Sequence, residues 1–340
     1  PGDNMCTSNE DAMEELCTRI LKALTDGVWK YADHVHIWPL DNGAWCQCEN
    51  CRALGNYSTR ILLLAYRVDK AIKEAYRLGR LKRKILLICP AYHETLPAPD
   101  RALPEDFDYS SIAMVFYPIE RCFAHRLDDP ICAETNALLM ERFLPWCRKE
   151  NYRGELVIGE YYNVSSFAAM PFVFIERMKK DIPFYHSIGA CHLTYLHMLA
   201  RKHGMQSLNN YLYTRLMWNK DADADALVDE FMIARYGEDA KKMKEIYLEL
   251  EDAGQNCKYI KHYQGFYEGR NRAHSRFLND EDTLFFPFKH SKLDYREDDY
   301  QAGPSLKEMR ERYENAFNDF AEYIKGKNSP ALKEDYDQLQ

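Results

Sequence analysis

The hydrophobic positions of this chain follow two patterns, which divide it into an amino-terminal and a carboxyl-terminal part. Up to about residue 200, short apolar runs alternate with amphipathic segments of ten to twenty residues. The amphipathic segments have the apolar spacing of helices, and the continuous apolar runs are typical of buried strands. Five strands are predicted, in the stretches HVHIW, KILLICP, SIAMVFYP, ELVIGEYY and SIGACHLTYL.

Alternation of buried strands with helices indicates repeated strand–helix–strand units, which form a parallel sheet. From about residue 204 onward, apolar residues recur at helical spacing, and no strand-like run of comparable strength follows. We therefore predict an α/β fold for residues 1–203 and a helical extension, residues 204–340, packed against it.

Polar and aromatic residues follow each predicted strand, in the sequences WPLD, CPAYHE, YPIER, GEYY and HLTY. In parallel α/β folds, functional groups gather where the carboxyl ends of the strands meet the loops. The sequence therefore predicts a pocket at this edge of the sheet, lined by acids, histidines, tyrosines and an arginine.

The overall composition argues against several classes of function. The net charge is −8 and no block of five or six like charges is present, whereas a nucleic-acid-binding surface requires a basic face. No apolar run reaches the roughly 18 residues of a membrane span. Eleven cysteines among 340 residues are too few for a disulfide scaffold. The first residues, PGDNMC, contain no targeting segment, and we expect the chain to be cut from a longer protein.

Five strands are too few for an eight-stranded (β/α)8 barrel, but the count fits if three strands precede residue 1 in a parent protein. HVHIWPLD then becomes the fourth strand and ELVIGEYY the seventh. Barrel glycosidases of the commonest clan carry their two catalytic carboxylates at the ends of these strands. On this count, Asp41 and Glu160 occupy the positions of the carboxylate pair that glycosidic cleavage requires.

Three segments of the chain resemble a bacterial glycosidase domain that is classed as glycoside hydrolase family 163. They are WPLDNGAWCQCENCRAL, YPIERCFAH and LNNYLYTRLMWNKDADADALVDEFMIARYG, and the resemblance covers roughly residues 5–250. It implies a (β/α)8 barrel, endo-β-N-acetylglucosaminidase action on complex N-glycans, and sequence preceding the present start. It also implies attack by the substrate's own acetamido oxygen. A glycan substrate of this kind favours the periplasm or the cell surface.

Glu160 is the predicted general acid/base, and Asp41 is predicted to orient the acetamido group, with the two roles exchangeable. Hexosaminidases of similar mechanism carry an adjacent Asp–Glu pair after the fourth strand, whereas this chain has Asp41–Asn42. Each carboxylate also has a structural interpretation, since Asp41 can cap a turn and Glu160 can pair with Arg121. Ring faces and polar groups that contact sugars are predicted at Trp38, Asn42, Trp45, Tyr117, Glu120, Arg121, His125, Tyr161, Tyr162, His192 and Tyr195.

Cys46, Cys48 and Cys51 have the spacing C-x-C-x2-C, which supplies three thiolates to a metal ion. A structural zinc site has four ligands, so a fourth would come from Cys6, from Cys122 or from a histidine. Packed thiols are the alternative interpretation. Redox chemistry is less favoured because no C-x-x-C follows a strand at a helix start. The zinc would be structural, since glycosidic cleavage requires no cofactor.

Two other functions fit the same residues. A carbohydrate-binding module that kept the barrel and lost turnover would retain the aromatic residues and bind glycan without cleaving it. A zinc-dependent hydrolase would instead lose its activity on chelation.

Overall fold

The computed structural model describes residues 2–41, 43–119, 121–162, 172–195, 204–255 and 306–339. Within these ranges, five parallel strands form one sheet, and each lies within a predicted apolar run, except that β2 extends one residue beyond its run. The strands are β1 (His34–His36), β2 (Leu86–Ala91), β3 (Ile112–Phe116), β4 (Leu156–Glu160) and β5 (Ala190–Tyr195).

The strands lie in the sheet in their order along the chain, β1-β2-β3-β4-β5. Crossovers between parallel strands are right-handed in nearly all proteins, so four successive crossovers in one direction place the connecting segments on the same face. A doubly wound sheet reverses its strand order and covers both faces. The α/β prediction is confirmed, and the five described strands do not by themselves close a barrel.

One helix precedes the sheet, and others connect most of its strands. The helix before β1 begins at its cap, Asn9, whose side chain accepts a hydrogen bond from the Ala12 amide over 2.8 Å. A cap of this kind satisfies an amide that has no partner within the helix. The helices of this part are α1 (Glu10–Thr25), α2 (Glu49–Ala53), α3 (Tyr57–Arg77), α4 (Ala133–Phe143) and α5 (Ile175–Ser187).

Side chains alternate between the two faces of the sheet, as in every β-strand. Val35, Leu87, Met114 and Ile158 point to the helix-covered face, where each is at most 5% exposed. They form one core with apolar residues of α1 and α3, and each such buried side chain contributes about 1.5–3 kcal/mol. The opposite face carries His36, which is exposed at the β1 edge.

The described residues after 204 are helical, as the apolar spacing predicts. Successive helices pack against one another, from α5 onward through the carboxyl-terminal part, and share a core with Val115 and Tyr117 of the β3 region. The helices are α6 (Ser207–Trp218), α7 (Ala224–Tyr236), α8 (Ala240–Gln255), α9 (Leu306–Tyr323) and α10 (Pro330–Leu339).

A buried polar contact joins two of these helices. Asp335 of α10 is fully buried, and its carboxylate accepts hydrogen bonds from Arg235 and from the Tyr236 hydroxyl of α7, both over 2.6 Å. A buried carboxylate requires such donors, so the contact holds α10 against α7. Among the helices of the described ranges, none is both long and apolar enough to cross a membrane.

Candidate active site

An aromatic row runs along the carboxyl edge of the sheet. Its members are Trp38 after β1, Tyr92 after β2, Tyr117 after β3 and Tyr161 after β4. The centre of the Trp38 ring lies 5.7 Å from that of Tyr92 and 5.1 Å from that of Tyr117, and the rings of Tyr117 and Tyr161 are 6.0 Å apart. Trp38 is 37% exposed, so its ring offers a stacking surface to a ligand.

Asp41 lies beside this row and is held there by Trp38. The indole Nε1 of Trp38 donates a hydrogen bond to Asp41 Oδ1 over 2.7 Å. The Asp41 side chain is exposed. The structure thus brings together two residues that the sequence predicts at the site, and it presents the carboxylate to solvent next to an aromatic ring.

A second carboxylate, Glu94, lies near Asp41 on the turn that follows β2. Glu94 is half-buried. Burial raises its pKa, and the neighbouring Asp41 carboxylate raises it further, against a backbone hydrogen bond that lowers it. A carboxyl group with a raised pKa retains its proton to higher pH, which is the property of a general acid.

His93 precedes Glu94 and is buried against one member of the aromatic row, Tyr92. Its ring centre lies 3.7 Å from that of Tyr92. Burial lowers the pKa of His93 to about 4, although Asp41 opposes this shift, so the imidazole is neutral at pH 7. His93 also has a φ of +45°, a backbone conformation that costs energy for a residue other than glycine.

Thr95 holds this strained turn in place. The Thr95 hydroxyl donates to the carbonyl of Pro90 over 2.8 Å and to that of Tyr92 over 2.9 Å. The indole of Trp146, which is fully buried, donates to the Leu96 carbonyl over 2.7 Å. The position of Glu94 is therefore set by β2 and by buried side chains rather than by a free loop.

Glu160 points away from the aromatic row, although it ends β4 at the same edge of the sheet. Residues of one strand alternate in direction. Gly159 faces Tyr117, because a Cβ atom at Gly159 would lie 2.2 Å from the Tyr117 ring. Glu160 therefore faces the helices, where its carboxylate contacts the hydroxyl of Tyr185 on α5. The predicted acid and Asp41 point to different faces of the sheet.

Arg121 is predicted to contact the sugar, but it forms a fully buried ion pair with Glu160. It therefore does not lie at the aromatic row. Arg121 Nη1 donates to Glu160 Oε1 over 2.6 Å, and Arg121 Nη2 lies 2.8 Å from Asp181 Oδ2. The Glu160 carboxylate also accepts a hydrogen bond from the Tyr161 amide over 3.1 Å. Both side chains are 0% exposed. This geometry favours the structural interpretation of Glu160 over the catalytic one.

Three more residues predicted at the site lie elsewhere. Trp45 is buried and stacks on Tyr57, with ring centres 4.7 Å apart. Tyr162 is fully buried and its hydroxyl donates to Asp181 over 3.0 Å. His192 lies in the amino-terminal half of β5 and pairs with Glu155 over 3.0 Å. Their positions follow from strand register and from core packing.

Four predicted residues remain. The structure describes His125, and the other three lie wholly or partly outside the described residues. His125 is half-buried, and its Nδ1 lies 3.1 Å from Cys132 Sγ. Asn42 and Glu120 lie outside the described residues, and so does the side chain of Tyr195. Glu94 is not among the individually predicted site residues, although the strand ending CPAYHE, which contains it, is part of the predicted pocket.

The four thiols of Cys6, Cys46, Cys48 and Cys51 converge into one cluster, with all sulfur atoms within 4.8 Å of one another. The Sγ atom of Cys6 lies 3.9 Å from that of Cys48 and 3.5 Å from that of Cys51. Four sulfurs around zinc, each bonded at about 2.3 Å, are separated by roughly 3.8 Å. The cluster could therefore hold a metal ion, with Cys6 as the fourth ligand.

Local hydrogen bonds prepare this cluster for a cation. The Cys51 amide donates to Cys48 Sγ over 3.4 Å, and the Ser8 hydroxyl lies 3.2 Å from Cys51 Sγ. Burial raises the pKa of the Cys51 thiol, but hydrogen bonds from Ser8, from Thr7 and from the other thiols outweigh it and lower that pKa to about 5. A thiolate is the form that binds metal.

Comparison with known proteins places the chain in one family. Residues 3–249 match the family described as a domain of unknown function, DUF4838. The chain belongs to this family. The match includes the whole five-stranded sheet, the cysteine cluster and the aromatic row. No curated protein and no solved structure matches the chain.

Proposed function

We propose that this protein is a glycoside hydrolase acting on glycans that contain N-acetylglucosamine. The observation that carries the proposal is the exposed Asp41 carboxylate, held by the ring of Trp38, with the half-buried Glu94 close enough to interact electrostatically with it. Glycosidic cleavage requires a group that protonates the leaving oxygen and a second group that stabilises the positive charge of the transition state. Sugar rings have apolar faces, which stack on aromatic side chains.

Glu94 takes the role of general acid in this proposal. Its half-buried position and its raised pKa keep a proton available, whereas the Glu160 carboxylate is enclosed by Arg121 and Tyr185. Asp41 is exposed and held by Trp38, and it orients the acetamido group whose oxygen attacks the anomeric carbon. The sequential order of the five parallel strands supports the proposal that the sheet is part of a (β/α)8 barrel.

We propose further that the cysteine cluster binds zinc as a structural ion. Four thiolates satisfy the tetrahedral coordination of zinc and leave no position for a substrate. The ion would tie Cys6, near the start of α1, to the loop that carries Trp38 and Asp41. Action on N-glycans would place the protein in the periplasm or at the cell surface.

Amide substitutions at the two carboxylates test the proposed activity. Glu94→Gln and Asp41→Asn are expected to lower the release of a complex N-glycan by about 10²-fold or more, because loss of a proton-transfer group typically has that effect. Glu105→Gln is the matched control, since Glu105 is exposed on the same connection between β2 and β3. It should retain full activity.

The pH dependence adds a second criterion. A general acid must be protonated, so the activity of the unaltered protein should fall as the pH rises through the pKa of Glu94. Glu94→Gln should abolish this dependence. Unchanged activity in both amide variants would end the assignment. Calorimetric binding of the product glycan without any cleavage would instead identify a carbohydrate-binding module.

A further inference from the structure

A second group of metal-ligating atoms lies in the segment that follows β3. His125 Nδ1 is 3.1 Å from Cys132 Sγ and 3.7 Å from Cys122 Sγ. All three donor atoms lie within 4.8 Å of one another. Both sulfur-bearing side chains are 0% exposed, and His125 is half-buried. This group shares no residue with the four-cysteine cluster.

Two fully buried polar side chains hold the backbone of this segment. Asn136 Oδ1 accepts from the Cys122 amide over 2.9 Å, and Asn136 Nδ2 donates to the Leu127 carbonyl over 2.8 Å. Arg121 donates to the carbonyls of Cys122 over 3.0 Å and of His125 over 2.8 Å. The loop is thus fixed at both ends of Cys122–Leu127. Such support keeps ligand side chains in position before a metal binds.

The separations of the donor atoms are those of neighbouring ligands on one metal ion. Zinc binds sulfur at about 2.3 Å and imidazole nitrogen at about 2.0 Å, so tetrahedral sulfur and nitrogen ligands lie roughly 3.5 Å apart. The measured 3.1 and 3.7 Å bracket this value.

The surrounding charges do not oppose a cation. Arg121 is the nearest buried positive charge, and it is paired with the carboxylates of both Glu160 and Asp181. The buried Arg177 also acts on Asp181, so the two arginines and the two carboxylates together carry no net charge. A metal ion bound by the two sulfurs would therefore be added to a region whose positive charge is already balanced.

We propose that Cys122, His125 and Cys132 bind a second thiophilic cation, zinc, in addition to the one at the four-cysteine cluster. Sulfur and imidazole ligands select zinc over magnesium, calcium and manganese. The described residues supply three ligands, which leaves one tetrahedral position for water or another donor. The ion would lock the loop that carries Arg121 and would fix its contacts with Glu160.

Metal stoichiometry tests this proposal without any assay of glycan cleavage. Protein purified without chelator and analysed by inductively coupled plasma mass spectrometry should contain two zinc ions per chain. Cys132→Ser and His125→Asn should each lower this number to one, and Cys51→Ser should also lower it to one. Cys89→Ala is the matched control, because Cys89 is a fully buried thiol outside both groups, and it should keep both ions.

Cobalt substitution distinguishes the two sites when a variant folds poorly. Co²⁺ added to the metal-free Cys51→Ser protein should still produce intense sulfur-to-cobalt absorption, which the additional His125→Asn substitution should weaken. The proposal is overturned if the unaltered protein holds one zinc ion that Cys51→Ser removes and His125→Asn leaves in place. It is also overturned if His125→Asn leaves the cobalt spectrum unchanged.

Discussion

Replacement of Glu160 by glutamine should reduce the stability of the protein by about 3 kcal/mol. The carboxylate is fully buried and contacts three donors, which are Arg121, the Tyr185 hydroxyl and the Tyr161 amide. Breaking a buried ion pair by removal of one partner costs about 3–5 kcal/mol. Glutamine keeps one acceptor oxygen, and Asp181 still pairs with Arg121, so we expect the lower end of this range.

Urea unfolding at pH 7, followed by tryptophan fluorescence, measures this loss. The midpoint should move to lower urea while the slope stays constant, because the surface exposed on unfolding is unchanged. Glu155→Gln is the matched control. Glu155 is 58% exposed and pairs with His192 at the surface, and such pairs contribute about 0–1 kcal/mol.

The opposite pattern would refute the structural role of Glu160. If Glu160→Gln unfolds within about 0.5 kcal/mol of the unaltered protein and yet releases N-glycan about 10²-fold more slowly, the carboxylate acts in the reaction. A stability loss equal to that of Glu155→Gln would show that the buried network does not hold the fold.

Three further predictions concern the ring surface, a buried acid and the metal. Trp38→Ala should weaken glycan binding by roughly 2–10-fold in calorimetry, since an aromatic contact contributes about 0.5–1.5 kcal/mol, and Trp38→Phe should keep most of the affinity. Burial raises the pKa of Glu251 to about 7 from an ordinary 4.5; its stabilising effect is complete below 4.5 and is lost as the pH rises through 7. The free energy of unfolding should therefore fall by about 3 kcal/mol over that interval, and a Glu251→Gln variant with the same pH slope would contradict this assignment. Chelation of zinc, or Cys51→Ser, should lower the melting temperature by several degrees, and identical melting curves with and without chelator would exclude a structural ion.

The strands were predictable because their signal is local. KILLICP and SIAMVFYP are short apolar runs, each closed by a proline, and they form β2 and β3. Apolar composition and turn residues act on neighbouring positions, so they indicate a strand without knowledge of its partners. The same endings identified Trp38, Tyr117 and Tyr161, which the structure aligns in one row.

The direction of Glu160 was not predictable from ELVIGEYY. A strand that is buried on both faces is apolar at nearly every position, so its sequence shows no alternation between faces. The packing of the Tyr117 ring on Gly159 and the position of Tyr185 on α5 determine which way Glu160 points. The raised pKa of Glu94 was not predictable from the sequence either, since it arises from burial and from Asp41, about 50 residues away along the chain.

The amino-acid sequence by itself determined the five strands, the helical structure of the carboxyl-terminal part and the edge of the sheet at which polar and aromatic groups collect. The tertiary structure alone decided which of these groups meet. Cys6 joins three cysteines about 40 residues away, and Asp41, after β1, raises the pKa of Glu94, after β2. Such pairings depend on strand register and on side-chain direction, which are set by packing between distant segments and have no signal in neighbouring residues.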